Sequence, residues 1–454
     1  MVRCGRSTRR CSIKRFASEW VTDRSETICV IGLWHLGTVL SACWADLGHR
    51  VVGVDESRAV VAALAEGRAP LFEPGLDALI RENLTRGRLS FSVDLTIAVA
   101  AADFVFIAFD TLVDEVDRLD LAPLEATIQE LAPHLKPGAT VVVSSQVPVG
   151  TCSRWRGEIR RRNTQPGIDL AYSPENLRLG DAIKCYLRPD RIVLGAETET
   201  VRERVRLLFA PMKAPVLTMS LASAEMTKHA LNSFLATSIS FVNEIADVCE
   251  RTGADILDVV GALKADPRVG PNAFLSPGFG FAGGTLARDI QVLREVARDG
   301  GLETPALDGV LKVNDGRPRL VLRRLSERHG SVAGLDIGVL GLTYKAGTST
   351  LRRSVALEII RTLVEAGATV RAFDPKADLA ELDGPKGFEP VGSAYEAARG
   401  ASALVILTEW PEFKALDFDR LRLLMKMPLI LDGKNLLADL HLRERGFEYL
   451  GVGR

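Results

Sequence analysis

TICVIGLWHLGTVLSACWADLGHRVVGVD, residues 27–55, decides the fold. Its first five residues form an apolar, β-branched run that predicts a buried strand, and a glycine-bounded turn follows. An apolar helix through Leu40 and Ala45 then leads to a second strand that ends in Asp55. Strand, tight turn, helix and strand make one parallel βαβ unit, in which ligands lie at the carboxyl ends of the strands. The turn keeps the first and third glycines of the G-x-G-x-x-G dinucleotide pattern as Gly32 and Gly37, with Leu33 and Leu36 between them, but Trp34 stands at the second glycine. An acid where Asp55 stands accepts hydrogen bonds from ribose hydroxyls and repels a 2′-phosphate, so NAD is expected over NADP. A purely structural turn is the competing reading. Trp34 favours it, because the second glycine normally lets a pyrophosphate approach the backbone.

Working outward, buried strands are expected at DFVFIAF (103–109) and ATVVVSS (139–145). The same grammar returns after Leu335 with DIGVLGL, the helix SVALEIIRTLVEAG, ATVRAFD ending in Asp374, SALVILT and PLILD. The expected fold class is therefore α/β, with two Rossmann-like, doubly wound parallel-sheet domains. Between them, from about Leu221 to Val269, a long helical pattern predicts a connector, its first helix ended by Gly253. Its apolar residues Met226, Leu231, Phe234, Leu235, Ile239, Phe241, Val242 and Ile245 populate more than one face, which predicts packing on both sides and an intersubunit contact.

Composition bounds the rest. A chain of 454 residues, 47% hydrophobic and 25% charged, is an ordinary globular sequence, long enough for two or three domains. Lys+Arg 57 against Asp+Glu 58 gives no global charge that would seek nucleic acid or an anionic membrane, so a small-molecule partner is expected. Seven scattered cysteines without a Cys-x-x-Cys pair fit neither a disulfide framework nor a zinc site, so no metal is expected and the cytoplasm is the natural compartment. Residues 1–26 carry seven basic side chains and no apolar run, which reads as a basic, disordered tail. No stretch of about 20 apolar residues is present to span a bilayer.

Three further segments carry a resemblance: SPENLRLG (173–180) followed by RPDRIVLGAE; Glu225-Met226-Thr227-Lys228 with Asn232; and RVGPNAFLSPGFGFAGGTLARD (268–289). With FEPGL (72–76), SQVPVGT (145–151), GLTYKAGTSTLRRS (341–354), LTEWPEF (407–413) and DGKN (432–435), this ordered series resembles the UDP-glucose/GDP-mannose dehydrogenase family along the chain. The resemblance implies NAD-dependent oxidation of the C6 alcohol of a nucleotide sugar to a carboxylate in two hydride transfers. It also implies an NAD domain over 27–214, a central helical domain over 215–330 used in homodimerisation, and a nucleotide-sugar domain over 331–454. The implied cofactor residues are Gly32, Leu33, Trp34, Leu36, Gly37, Asp55, Arg58, Thr111, Gln146, Arg288 and Arg352. The implied substrate residues are Glu175, Asn176, Leu177, Arg178, Lys228, Asn232, Arg268, Phe274, Leu275, Ser276, Gly278 and Lys345.

Lys228 and Asn232, four apart and so on one helix face, can stabilise a developing alkoxide, and the resemblance implies Asp289 as the acid that orients the lysine and Glu175 as a further retained catalytic residue; an isolated pair of this kind would by default be a solvated lysine and a polar helix residue. The chain also departs from the family. Thr285 stands at the nucleophilic cysteine, Gln146 at a threonine, Leu179 at the glutamate that assists thioester hydrolysis, and Ser349 and Thr350 at paired aspartates. A threonine hydroxyl is not ionised near neutrality, whereas a thiolate can carry the second oxidation through a thioester. Cys152 and Cys185 are the candidate substitute nucleophiles, and an inert thiol is the expectation for each. Two functions follow from these residues: a UDP-sugar oxidoreductase limited to a two-electron step, or a catalytically silent relative that binds a nucleotide sugar or a protein partner.

Overall fold

The computed structural model describes residues 25–109, 119–175, 177–281, 285–382 and 387–454. Thr111, Asn176, Ala282 to Gly284 and nearly all of the basic tail lie outside the described residues.

Eight strands form the first sheet: β1 (Thr27–Ile31), β2 (Arg50–Val54), β3 (Leu89–Ser92), β4 (Phe104–Ile107), β5 (Thr140–Val143), β6 (Asp169–Tyr172), β7 (Ile192–Ala196) and β8 (Val216–Met219). Their order is β3-β2-β1-β4-β5-β6-β7-β8, so the chain reverses direction of growth between β1 and β4 and opens a crevice at their carboxyl ends. β4 and β5 are buried along their whole length because apolar clusters cover both faces. On one face Trp44 is fully enclosed, its ring 5.5 Å from Phe106, 5.3 Å from Phe209 and edge-on to Tyr186. The second sheet comprises β9 (Asp336–Leu340), β10 (Thr369–Phe373), β11 (Glu389–Pro390), β12 (Ala403–Ile406), β13 (Leu429–Asp432) and β14 (Glu448–Gly451), ordered β11-β10-β9-β12-β13-β14.

Two parallel-dominated sheets agree with the α/β expectation, with one local difference: β6 and β7 pair antiparallel. A six-residue helix (Ala182–Leu187) lies between them, and the chain re-enters the sheet from the same end. The loop that makes this reversal carries Glu175.

Between the sheets runs the central helix, Leu221–Thr252. Ser220 caps its start by accepting the Ser223 amide, and Gly253, at φ 76°, ends it as expected in the left-handed conformation that glycine adopts without strain. Its first half packs on β6 and β7, and Val242, Ala246 and Cys249 join the core of the second sheet. The expectation of packing on both sides holds on one side only. Ile239 and Val242 are buried, whereas Phe234, Phe241 and Val248 are 68%, 47% and 53% exposed in the single chain. Among the described residues no helix is long and apolar enough to cross a membrane.

Candidate active site

The turn after β1 is built from two steric constraints. Gly32 sits at φ +89°, and a Cβ on Gly37 would lie 1.7 Å from the Gly32 carbonyl oxygen. Only glycine at 37 allows the following helix, His35–Asp46, to start this close to the strand, which leaves its first amides facing the crevice. Leu33 and Leu36 point into the core, while Trp34 is 38% exposed at the helix start and makes no side-chain cap. Asp55 accepts the Leu33 amide on one oxygen (2.8 Å) and the Ser57 amide on the other (2.9 Å), which aims it at the turn and leaves further lone pairs. Arg58 is exposed one turn away, at the first position of the next helix.

The corresponding acid of the second sheet shows what a purely structural version looks like. Asp374 takes the Leu342 and Thr343 amides, the Thr343 hydroxyl, the Trp410 indole N–H and the Lys376 and Ala377 amides. Its oxygens are consumed by the fold. The glycine turn, helix start and Asp55 of the first sheet therefore fit a dinucleotide, and the equivalent turn of the second sheet does not.

A polar cluster lies between the central helix, the loop after β5 and the helix Leu286–Asp299. Lys228 is buried, donating to the Glu175 carbonyl at 2.6 Å with the Glu175 carboxylate at 3.5 Å. Asp289, fully buried, accepts from Asn232 and from Gln146, and His229 Nδ1 lies 2.8 Å from it. Arg288 donates to the Gln146 carbonyl oxygen. Lys228, Asn232, Asp289, Glu175, Gln146 and Arg288 are thus brought together from four segments. Thr285 starts the Asp289 helix, one turn before the acid, and is exposed without a side-chain cap.

Three polar residues in this region carry no role that the sequence alone suggests. His229 is fully buried, with its second nitrogen 2.8 Å from the Val147 carbonyl. Glu225, also fully buried, accepts the Gly150 amide at 2.6 Å and the Cys152 amide at 2.7 Å, fixing the SQVPVGT loop to the central helix. Glu73 of FEPGL accepts from His35 of the glycine turn and from the Gly180 and Ala182 amides of the Glu175 loop. Burial works to raise the Glu73 carboxyl, but the His35 bond and the two amides outweigh it and hold it below the usual carboxylate range. A pattern was available for two of these: Glu225, Lys228, His229 and Asn232 fall at i, i+3, i+4 and i+7, one polar face of a helix otherwise lined with apolar residues.

The sugar-loop residues divide. Gly278 donates its amide to Asn243 of the central helix and its carbonyl accepts two bonds from Arg317, and a Cβ there would meet the Gly433 carbonyl at 3.0 Å. The loop is therefore locked against DGKN, with Leu275 buried and Phe274 and Ser276 exposed. Gly347, two residues after Lys345, lies against Gly180, so the Lys345 loop and the loop carrying Leu177 and Arg178 meet. Lys345 and Lys434 flank Glu409, whose burial would raise its carboxyl but whose cationic neighbours hold it low. Two residues are not drawn in. Arg268 is fully in solvent, folded back on Asp266 at 2.6 Å, and Arg352 is exposed.

Neither cysteine offers an activated thiol. Cys152 is wholly buried, and burial together with the Glu225 carboxylate pushes its thiol far up. Cys185 is half-buried, and burial and the Asp181 carboxylate raise it as well. For Cys185 the Arg178 guanidinium acts downward but does not outweigh burial and Asp181, so neither thiol has the net cationic surroundings that generate a thiolate.

Known proteins are similar to this chain along its length. Residues 26–213 match the NAD binding domain of the UDP-glucose/GDP-mannose dehydrogenase family, residues 222–316 its central domain and residues 338–439 its UDP binding domain. The UDP-glucose 6-dehydrogenase of Rhizobium meliloti (strain 1021) is 39% identical over 434 residues, 94% of this chain and 99% of that protein. The UDP-glucose 6-dehydrogenase TuaD of Bacillus subtilis (strain 168) is 35% identical, over 94% of this chain and 93% of that protein. The solved UDP-glucose dehydrogenase of the hyperthermophilic archaeon Pyrobaculum islandicum superposes with a TM-score of 0.88 at 32% identity, covering 95% of this chain and 98% of that one.

Proposed function

The chain belongs to the UDP-glucose/GDP-mannose dehydrogenase family, and from that premise we propose that it is an NAD-dependent oxidoreductase acting on a CH–OH group of a UDP-sugar and limited to one two-electron step. NAD, when bound, supplies the acceptor for the hydride. The Gly32–Gly37 turn and the amides of the helix behind it hold the pyrophosphate, and Asp55 takes the ribose hydroxyls and selects against NADP. Residues 27–214 serve the cofactor, 331–454 the uridine nucleotide through Lys345, and 215–330 join them and add the loop at Gly278. UDP-glucose is the first substrate to try, given the relatives' activity.

The observation that carries the reading is the convergence of Lys228, Asn232, Asp289 and Glu175 beside a helix start that bears Thr285 in place of a thiol. As the alcohol passes its proton to a water and so to solvent, the Lys228 ammonium and the Asn232 amide stabilise the alkoxide oxygen. Asp289 holds Asn232 and Glu175 holds Lys228, so both donors are set before the substrate arrives. A covalent thioester needs a thiolate, which neither Thr285, Cys152 nor Cys185 provides. The reaction therefore ends at the aldehyde. The silent-binder alternative draws on Gln146, whose amide occupies Asp289.

The exposed Phe234, Phe241 and Val248 recur every seven residues on the central helix and support a homodimer along it. The five free cysteines among the described residues support a reducing compartment, the cytoplasm. The reading is tested by calorimetry with NAD, NADP, UDP and a panel of UDP-sugars. NAD should bind more tightly than NADP, and a UDP-sugar at about 100 times its Kd should add about 2.7 kcal/mol of stability. Absence of binding by every nucleotide sugar would remove the enzyme reading.

A further inference from the structure

His229 follows the proposed alcohol-activating lysine on the central helix, and its ring is the one group in the polar cluster whose hydrogens the geometry dictates. Nε2 lies 2.8 Å from the Val147 carbonyl oxygen, which can only accept, so Nε2 carries a hydrogen. Nδ1 lies 2.8 Å from Asp289 Oδ1. The role of that oxygen follows from Arg288. A guanidinium can only donate, so its contact with Gln146 fixes the amide with its oxygen toward Arg288 and its NH2 toward Asp289. Asp289 thus receives the Gln146 amide on Oδ1 and the Asn232 amide on Oδ2, and the Arg288 guanidinium stands 3.9 Å from Oδ1, an arrangement of donors and positive charge that favours the carboxylate over the acid form. Against that carboxylate, a ring with no hydrogen on Nδ1 would turn lone pair toward lone pair where both residues are fully buried.

We infer that His229 carries a hydrogen on both ring nitrogens and, through Nδ1–H, holds Asp289 as a fixed carboxylate that aims Asn232 at the reacting oxygen. His229 is a positioning residue. Its catalytic consequence rests on the function proposed above, while the state of the ring does not. The imidazolium offsets the Asp289 charge, so Asp289 orients donors and does not take up the alcohol proton, and the Lys228 ammonium is left as the charge that meets the alkoxide. The charged and titratable groups around the ring are Asp289 and Arg288 on the facing helix, Lys228 and Glu225 on its own helix, Cys152 on the helix Thr151–Arg162, and Tyr172 in β6, which lies within electrostatic reach of Asp289, Glu225 and Cys152.

The test is NMR of the full-length protein labelled with 15N-histidine, without ligand, at about pH 7.5, where a free imidazole is mostly neutral. The chain has six histidines, and His229→Gln identifies the signal by its loss. The expected result is two one-bond N–H couplings for His229 in the unmodified protein and one, at Nε2, in Asp289→Asn, where the amide can donate to Nδ1. A single N–H in the unmodified protein would overturn the inference, as would two in Asp289→Asn. If His229→Gln fails to fold, these two spectra still decide, because among the described residues His229 is the histidine with a hydrogen-bond partner at each ring nitrogen. On a sugar the enzyme oxidises, His229→Gln should lower kcat by about tenfold or more and change KM little; an unchanged kcat would overturn the positioning role. If no sugar is oxidised by any form, the proposed function fails, and the spectra still decide the state of the ring.

Discussion

Thr285 and Lys228 divide the chemistry of this site between what is missing and what is kept. Lys228 is buried, with one hydrogen bond to a backbone carbonyl and the Glu175 carboxylate nearby, so its ammonium is compensated and held in place. Lys228→Ala removes the charge that meets the alkoxide. It should lower kcat/KM by about 3 kcal/mol or more, roughly a hundredfold, without loss of NAD affinity, as steady-state kinetics and calorimetry would show. A variant within about threefold of the unmodified rate would reassign the role of this lysine. Lys228, Asn232 and Asp289 were legible because their spacing and the surrounding motifs are local in sequence. His229, Glu225 and Glu73 were not. The meaning of each comes from partners 38 to 109 residues away, and a single sequence does not say which partner. Arg268 shows the reverse case: it matched a motif, and in the single chain it turns to its neighbour Asp266.

At the scale of elements, the strands that were legible from sequence are those buried on both faces, such as β4 and β5, because such strands must be continuous apolar runs. β8 and β11, half-exposed or exposed at sheet edges, carry no such run and were missed, and so were β3, β14, the buried β6 and β7, and the antiparallel joint between the last two. The central helix was legible in length and in its glycine stop, but periodicity alone could not say that one apolar stripe would face outward. That stripe yields a prediction. Phe241→Glu places a charge at the middle of the proposed dimer contact, where leaving it unpaired costs several kcal/mol. Sedimentation velocity should show a dimer for the unmodified chain and a monomer for the variant, with an unchanged helical circular dichroism spectrum. A variant that remains dimeric would place the contact elsewhere.

The whole molecule depends on buried carboxylates that tie its segments together. Glu73 joins the glycine turn to the Glu175 loop, and Asp169 is bound by Arg156 at 2.5 Å and by Arg160 at 3.2 Å. For Asp169 burial again acts upward, and the Arg156 bond and the Leu170 amide outweigh it. Both carboxyls are held below their ordinary range in the folded protein, so the stability they contribute is fully present above that range and is lost as the pH falls through the lower folded values. Urea unfolding should therefore show stability declining below about pH 4.5. Glu73→Gln should cost about 1–3 kcal/mol at neutral pH and flatten that decline. An equal acid slope in the variant would show that Glu73 does not contribute to it.

The proposed function joins the two sheets, the glycine turn and the Lys228 cluster in an enzyme equipped for the first oxidation and without a thiol for the second. The most direct test is to incubate the unmodified protein with NAD and a UDP-sugar it binds, measure NADH formed per sugar consumed, and identify the product by mass spectrometry. The expected result is about one NADH per sugar and an aldehyde or its hydrate, with partial acid formation only after Thr285→Cys, since Gln146 and Leu179 remain. About two NADH per sugar and efficient formation of the uronic acid by the unmodified protein would contradict a reaction that stops after one hydride transfer.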